Sequence, residues 1–442
     1  MAKDAFLKSE YAKRFCVSDI VFKALPPGFW SQVIRSSPVD VAWGGGPTLF
    51  DQLFLDGLLR PLETRYALEA AAQVPDEIAG MPTKRVKDGK IYWVGAAIAS
   101  FGFTVNTEVA AQLGFPVEKL KHWRDLASDD LGLILLEYGK APVAIANPLQ
   151  STSNTRMYEI ILQAYGWDEG WKVLTLMAAN AEIKEGSEDV RDAVINGEVL
   201  VGITIDFYGY TAEKVTNGVC RYILPQGETI VNADPVAVTV STKHPEAAEA
   251  FVAWLLTEGQ AIWLNPDINR LPANPKVFDM PLDVLCKVAQ ASCGDMKAQV
   301  ELLREKFQQA LHAKVIRFND TLALETEFPM QLYFVATLRD EHKLLQDAWT
   351  RLLKAYYVDK TIDRETFEKL KNMLGETVTY KDPVTGREVK FTLEDAIRVG
   401  KLLREAMAKG DAALKDKYMN AWREAAREKY RLILDQLSQL GG

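Results

Sequence analysis

Asn147-Pro148-Leu149-Gln150-Ser151-Thr152-Ser153-Asn154-Thr155-Arg156 lies between two segments of different period. Upstream, 141–146 is a short apolar run and reads as a buried strand. Downstream, Met157, Ile160, Ile161 and Ala164 recur at helical spacing and open a helix over 157–174. The polar cluster is therefore a strand-to-helix turn, and Ser151, Thr152, Ser153 and Asn154 are all able to cap it. A helix start offers free backbone N–H groups and a partial positive charge, which suit an anion or a hydroxyl-bearing ligand. A turn in which one residue caps and the others are solvated gives the same pattern, so the rest of the chain has to decide.

The same strand–turn–helix pattern recurs on both sides. Residues 39–43 read as a strand ending at Trp43, followed by Gly44-Gly45-Gly46-Pro47-Thr48 and a helix over 49–58. Glycines permit positive φ and let a ligand approach the backbone. No Gly-Lys-Ser/Thr follows, so this is not a phosphate-binding P-loop, and the spacing is not that of a dinucleotide fingerprint. A plain tight turn remains an alternative. Residues 197–205 form a strong strand that ends in Asp206-Phe207-Tyr208-Gly209-Tyr210. Read as extended, Asp206, Tyr208 and Tyr210 share one face at a strand end, where open α/β sheets bind ligands. An aromatic cluster packed on the core is the competing reading.

Between these, 90–106 is long, apolar and rich in small residues, as expected of a strand crossing between two domains, and 107–113 starts a helix. Helices are expected over 4–16, 30–35, 123–126, 187–195 (with Ser187 as N-cap) and 245–256. Strands are expected over 19–24, 180–183, 220–225 and 235–240, with 226–234 as a return crossing and 132–136 extended. Residues 265–275 are a proline-punctuated loop. Beyond 282 the chain becomes helical and mixed in charge, over 296–311, 338–357 and 412–440. A hairpin over 376–391 precedes a helix capped by Thr392 with Asp395. These charged faces read as solvated helix surfaces.

The chain has 442 residues, enough for two or more domains with ample core. Its 52 Lys plus Arg against 60 Asp plus Glu give a net charge of −8, which argues against nucleic acid as the main partner. No apolar run reaches the length of a membrane span. No secretory leader is visible at the start. The four His are scattered and form no metal motif, and four Cys are too few for a disulfide scaffold. Two turns of one helix would hold Cys286 and Cys293 ~10 Å apart, beyond bridging distance. A bend before Gly294 would close that gap, but two free thiols are expected.

Four segments together resemble the extracellular solute-binding proteins of ABC importers: 39–46; 151–153 followed by Tyr165-Gly166-Trp167-Asp168-Glu169-Gly170-Trp171; 197–210; and 245–251 with Asn269-Arg270-Leu271-Pro272. The resemblance is to the type II periplasmic-binding fold, in the branch with iron(III) and thiamine binders, and spans about 20–275. It implies an α/β fold of two lobes: 1–99 and 233–281 as lobe 1, and 100–232 as lobe 2. Residues 282–442 are longer than the family needs and are expected to form a mostly helical C-terminal extension on lobe 1, with permease contact or self-association as the alternative roles. Ligand would bind in the interlobe cleft by hinge closure, lined by Trp43, Gly44, Gly45, Gly46, Thr48, Ser100, Phe101, Ser151, Thr152, Ser153, Asn154, Asp206, Tyr208, Tyr210, Asn269 and Arg270. Cys16 and Cys220 would sit in different lobes and stay unbridged.

The same resemblance implies a binding protein and not an enzyme, with no catalytic residues, metal or cofactor. The protein would act as an extracellular or periplasmic monomer, taken here in mature or truncated form, with a small-molecule solute and a membrane permease as partners. Hydroxyls and N–H donors favour a small polar solute with an anionic group. Asp206 can accept from hydroxyls or amines, and Trp43, Phe101 and Tyr208 can stack on a flat body. Iron(III), through tyrosinates at Tyr208 and Tyr210, is the alternative within the fold. A cytosolic ligand sensor or an enzyme are the alternatives outside it, although no nucleophile–base constellation is apparent.

Overall fold

The computed structural model describes residues 1–441. The chain folds as two compact units, Met1–Ser100 with Ile230–Arg317, and Phe101–Thr229 with Phe318–Gly442. The crossings lie at 100/101 and 229/230, against 99/100 and 232/233 read from the sequence.

In the first unit, Val231–Thr239 runs antiparallel to Val41–Trp43 on one side (Val41 opposite Val238) and to the first part of Lys90–Asn106 on the other (Val231 opposite Ser100). Leu271–Pro272 adds to the same long strand at Ile98 and Ala97. Ile34, Phe50, Leu53, Leu59, Trp93 and Ala237 form a core beneath it. Pro47–Leu55 is a helix because Pro47 at its first position has φ preset and no N–H to lose. The strand expected over 19–24 does not form. Residues 17–26 are irregular, and Val21, Phe22 and Leu25 lie exposed, so their apolar side chains gave the run a strand-like pattern without a sheet edge to join. The helix expected over 4–16 is two, Ala2–Leu7 and Glu10–Arg14, because Ser9 caps the second through Ala12 N.

Two free thiols at Cys286 and Cys293 are also overturned, for these residues are disulfide-bonded with Cα atoms 5.3 Å apart. They do not share a helix. Leu282–Ala289 stops at Gln290, whose φ of 53° is left-handed, and Ser292 caps the next helix, Cys293–Leu311. That reversal brings the two together. Cys16 and Cys220 are free, one in each unit.

The second unit is a mixed sheet. Cys220–Ile223 and Val201–Ile205 flank the second part of Lys90–Asn106 antiparallel, and Val143–Ala146 then lies parallel to both Val201–Ile205 and Ala181–Lys184. Three parallel strands thus end at the same edge, at Ala146, Lys184 and Ile205. Gly132 to Leu136, expected to be extended, belong to the helix Asp129–Tyr138.

The segment from Phe318 belongs to this unit and not to lobe 1. Its helices cover Thr152–Tyr165 and Trp167–Ala179: Tyr158 stacks on Phe334 (ring centroids 4.6 Å apart) and Trp171 meets Tyr333 edge-on at 4.7 Å. Their apolar side chains therefore pack on this unit's own core. The expected hairpin pairs Thr379–Lys381 with Glu388–Lys390, and Thr392 accepts from Asp395 N as its pattern indicated.

Candidate functional site

Each of the three parallel strands delivers a turn to the same edge of the second unit. After Val143–Ala146 comes the quoted polar turn. Ser151 caps the Thr152–Tyr165 helix by accepting from Asn154 N at 3.0 Å. Asn154 Oδ1 accepts from Ala146 N at 3.0 Å, which ties the helix start back to the strand end. Thr155 Oγ1 donates to Pro148 O at 2.7 Å, closing the turn. After Ala181–Lys184, Glu185 and Gly186 lead into the helix Ser187–Ile195. Gly186 is the cap position and Ser187 the first helical residue, so Ser187 is not the cap.

Its hydroxyl turns instead to the neighbouring helix start. Ser187 Oγ hydrogen-bonds Ser151 Oγ, and Ser153 Oγ at 2.7 Å, with Ser151 and Ser153 3.4 Å apart. Three hydroxyls thus converge where two helix N-termini meet, each able to donate or accept. Thr152 is exposed beside them. Asn147 Nδ2 donates to Glu185 Oε2 at 3.2 Å, and Arg339 pairs with the same carboxylate. The Arg339 hydrogen bond holds the Glu185 carboxyl below its usual range.

The third turn corrects the sequence reading. Asp206–Val215 is a helix, not an extended strand end. Residues two apart on a helix differ by about 200° and do not share a face. Tyr208 accordingly reaches across to the Ser187–Ile195 helix, donating to Glu188 Oε1 at 3.1 Å, with Arg191 4.7 Å above its ring. Tyr210 is buried and meets Tyr222 edge-on at 5.5 Å. The two phenols are therefore not a pair. Asp206 is fully buried, and its Oδ1 accepts from Phe207 N at 2.7 Å. Phe101 is also buried, its carbonyl taken by Thr229 Oγ1 at 2.6 Å, so it presents no stacking face.

The remaining candidates belong to the first unit. Trp43 meets Phe251 and Trp263, both at 5.8 Å. Arg270 lies 5.0 Å over Trp263 and pairs with Asp234. Gly44 (φ +93°) and Gly45 (φ +82°) take backbone that only glycine adopts without strain, whereas Gly46 at −102° does not need to be glycine. Thr48 and Ser100 are buried. Asn269 holds left-handed backbone (φ 58°) and accepts from Gln299 Nε2 at 2.6 Å.

The sequence reading missed Ser187 as a ligand candidate, together with Asn147, Glu185, Glu188 and Arg191. The available signal was the repeated pattern: Gly186-Ser187 follows a short strand just as Ser151 does. Among the described residues, no group of three or more His, Cys, Asp or Glu is placed to hold a metal ion.

Strand ends carrying capped helix starts, on a sheet of this topology, define a ligand-binding α/β protein of the type II periplasmic-binding class. Residues 32–284 match the family described as bacterial extracellular solute-binding protein, and the chain belongs to that family. It is 25% identical over 261 residues to the phosphoglycerate transport regulatory protein PgtC of Salmonella typhimurium, and equally to that of Salmonella typhi. The match covers 59% of this chain and 58% of those relatives, so the chain spans little more than half their length. Among solved structures, the fold is similar to the periplasmic binding protein AfuA from Actinobacillus pleuropneumoniae with exogenous fructose-6-phosphate bound (TM-score 0.51, 17% identity, 69% of this chain and 94% of that one). It is similar also to the periplasmic binding protein P5PA (TM-score 0.51, 16% identity, 76% and 94%).

Proposed function

We propose that the solute is a small phosphorylated or otherwise anionic compound, held by Ser151, Ser153 and Ser187, and delivered to a membrane permease. The observation that carries this reading is the meeting of three hydroxyls at two helix N-termini, where N–H dipoles favour negative charge. The similarity to PgtC, a phosphoglycerate transport regulatory protein, and to AfuA with fructose-6-phosphate bound favours the same class of solute. The hinge closure implied by the resemblance would follow from ligand contacts that differ between two states.

The test is a thermal-shift screen with 3-phosphoglycerate, fructose 6-phosphate and inorganic phosphate, followed by titration of the Ser151→Ala/Ser153→Ala variant. A bound solute raises the melting temperature by mass action. Each lost hydrogen bond to a charged group costs roughly 1.5–3 kcal/mol, so the double variant should bind about a hundredfold or more weakly. Losing the Ser151 cap costs only about 1 kcal/mol of stability. Unchanged affinity beside a lowered melt would reduce the cluster to a capping device.

A further inference from the structure

Two side chains from beyond Phe318 reach the turns that carry the serine cluster. Gln331, in the helix Asp320–Phe334, donates through Nε2 to Pro148 O at 3.2 Å and to Thr155 Oγ1 at 3.1 Å. Arg339 ends a single π-helical turn, Val335–Arg339, in which Asp340 N donates to Val335 O at 2.8 Å. Widened turns of this kind recur at functional positions. From there the guanidinium meets Glu185, donating to Oε1 through Nε at 3.2 Å and through Nη2. The family match ends at residue 284, so both side chains come from outside it.

Glu185 stands beside the cluster. It precedes Ser187 by two residues, so their Cα atoms lie within about 7 Å of each other. Asn147 links it to the other helix start: Nδ2 donates to Glu185 Oε2 at 3.2 Å, and Asn147 O accepts from Ser151 N at 3.0 Å. Glu185 is ionised at neutral pH, since the Arg339 hydrogen bond holds its carboxyl below the usual range. Left alone, that carboxylate would repel an anion held by the three hydroxyls. Arg339 offsets it. Asp340 lies 3.8 Å from Arg339 Nη1 but has a cation of its own, Arg423 Nη2 at 2.6 Å, so the Arg339 charge serves Glu185. Both partners are solvent-accessible, and exposed ion pairs add little to stability. The consequence of the pair therefore lies in the field at the cluster.

We propose, on the strength of the anion-site reading above, that Arg339 is a specificity-determining residue acting through Glu185. By offsetting the carboxylate it lets the serine cluster take a doubly charged phosphoryl group in preference to a singly charged one. The repulsion it removes scales with the charge of the ligand, so a dianion gains more than a monoanion.

Calorimetric titration of the full chain tests this at about pH 8, with inorganic phosphate, mostly doubly charged, and dimethyl phosphate, singly charged. Arg339→Gln should weaken phosphate roughly three- to tenfold at about 10 mM ionic strength and dimethyl phosphate by a smaller factor, while the melt stays near the parent's. That deficit should fade in ~1 M salt, where charges are screened within about 3 Å. Arg339→Lys, which keeps the charge, should restore most of the affinity. Glu185→Gln with Arg339→Gln should return phosphate binding to within about twofold of the parent, because no carboxylate is left to offset. A merely structural role predicts the opposite: a double variant at least as weak as Arg339→Gln, and a deficit that salt does not touch. Either result overturns the proposal, as does unchanged phosphate affinity in Arg339→Gln at low salt. If the latter variant does not fold, Glu185→Gln alone decides, and it should bind phosphate more tightly than the parent. Ser151→Ala/Ser153→Ala separates the two readings. Lost binding there beside unchanged binding in Arg339→Gln overturns this inference alone, whereas parental affinity in the serine variant overturns both.

Discussion

Ser187 reaches Ser151 because of a residue that touches neither. Gly202, in the strand Val201–Ile205, lies under the Ser187–Ile195 helix, and a Cβ there would stand 2.7 Å from Val190 Cγ1 and 2.8 Å from Val194 Cγ2. Both valines are fully buried, so neither has room to give. Gly202→Ala should therefore push the helix outward, costing about 1–3 kcal/mol by overpacking and separating Ser187 from its partners. Urea unfolding with a titration of the screened solute checks both effects, and an unchanged midpoint would show that the helix is not held at this point. At this scale the sequence was legible where chemistry is local. Cap preference narrowed the helix start to four residues, Ser151, Thr152, Ser153 and Asn154, of which Ser151 is the cap, and the glycine loop was marked by its composition. What it could not show is which helix starts abut, because that depends on the parallel pairing of Val143–Ala146 with Ala181–Lys184, a long-range register. Ser187 therefore read only as a cap, and Tyr210 read as a partner of Tyr208 when its ring in fact packs on Tyr222.

At the scale of elements, the helix His342–Leu353 completes hydrogen bonds that Trp167–Ala179 leaves open at its C-terminal end. His342 Nε2 donates to Ala178 O at 2.8 Å, Gln346 Nε2 to Ala179 O and Ala181 O, and Trp349 Nε1 to Asn180 Oδ1. Terminal carbonyls buried without such donors would be costly. Burial lowers the His342 pKa below 6.5. A group with a depressed folded pKa contributes stability that is present above its unfolded pKa and is lost as pH falls through the folded one. Stability should thus decline below about pH 6.5, the ordinary value for the unfolded chain. His342→Gln should flatten that decline while lowering stability at neutral pH, and urea midpoints measured across the range will show it. A parallel decline in both proteins would exclude His342 as the source. The elements themselves were legible wherever period and caps agreed, as for Thr107–Leu113 and the long strand Lys90–Asn106. They failed in short apolar runs, where strand and helix cannot be told apart by period alone. For Asp129–Tyr138 the better signals were at its ends, Ser128 accepting from Leu131 N and Gly139 at φ 66°.

For the whole molecule, the question is what Phe318 onward does for a fold whose family match ends at residue 284. Read as a solvated extension on the other unit, it could be removed without harm to Phe101–Thr229. Its packing says otherwise. Tyr333 stacks on Phe391 with centroids 4.0 Å apart, Trp422 meets both rings, and this cluster closes over Trp171 while Phe334 covers Tyr158. Trp171 and Tyr158 are both completely buried. Fully burying a Phe or Leu side chain is worth about 1.5–3 kcal/mol, so exposing several such rings removes a large share of the 5–15 kcal/mol that typically holds a domain together. Arg156 would lose Asp320, and the Ala178 and Ala179 carbonyls would lose their donors. In a chain ended at residue 317 this unit should therefore lose its cooperative melt, leaving only that of the other unit, and bind a hydrophobic dye, the signature of a unit with secondary structure but without fixed packing. Hydrogen exchange locates the damage. The 152–179 amides should lose protection, while those of 231–239 in the other unit keep theirs. Intact protection over 152–179 would mean that these helices are stable alone and that the C-terminal helices are an ornament on them. Loss confined to that region would make the segment from Phe318 a structural part of the unit that carries the serine cluster.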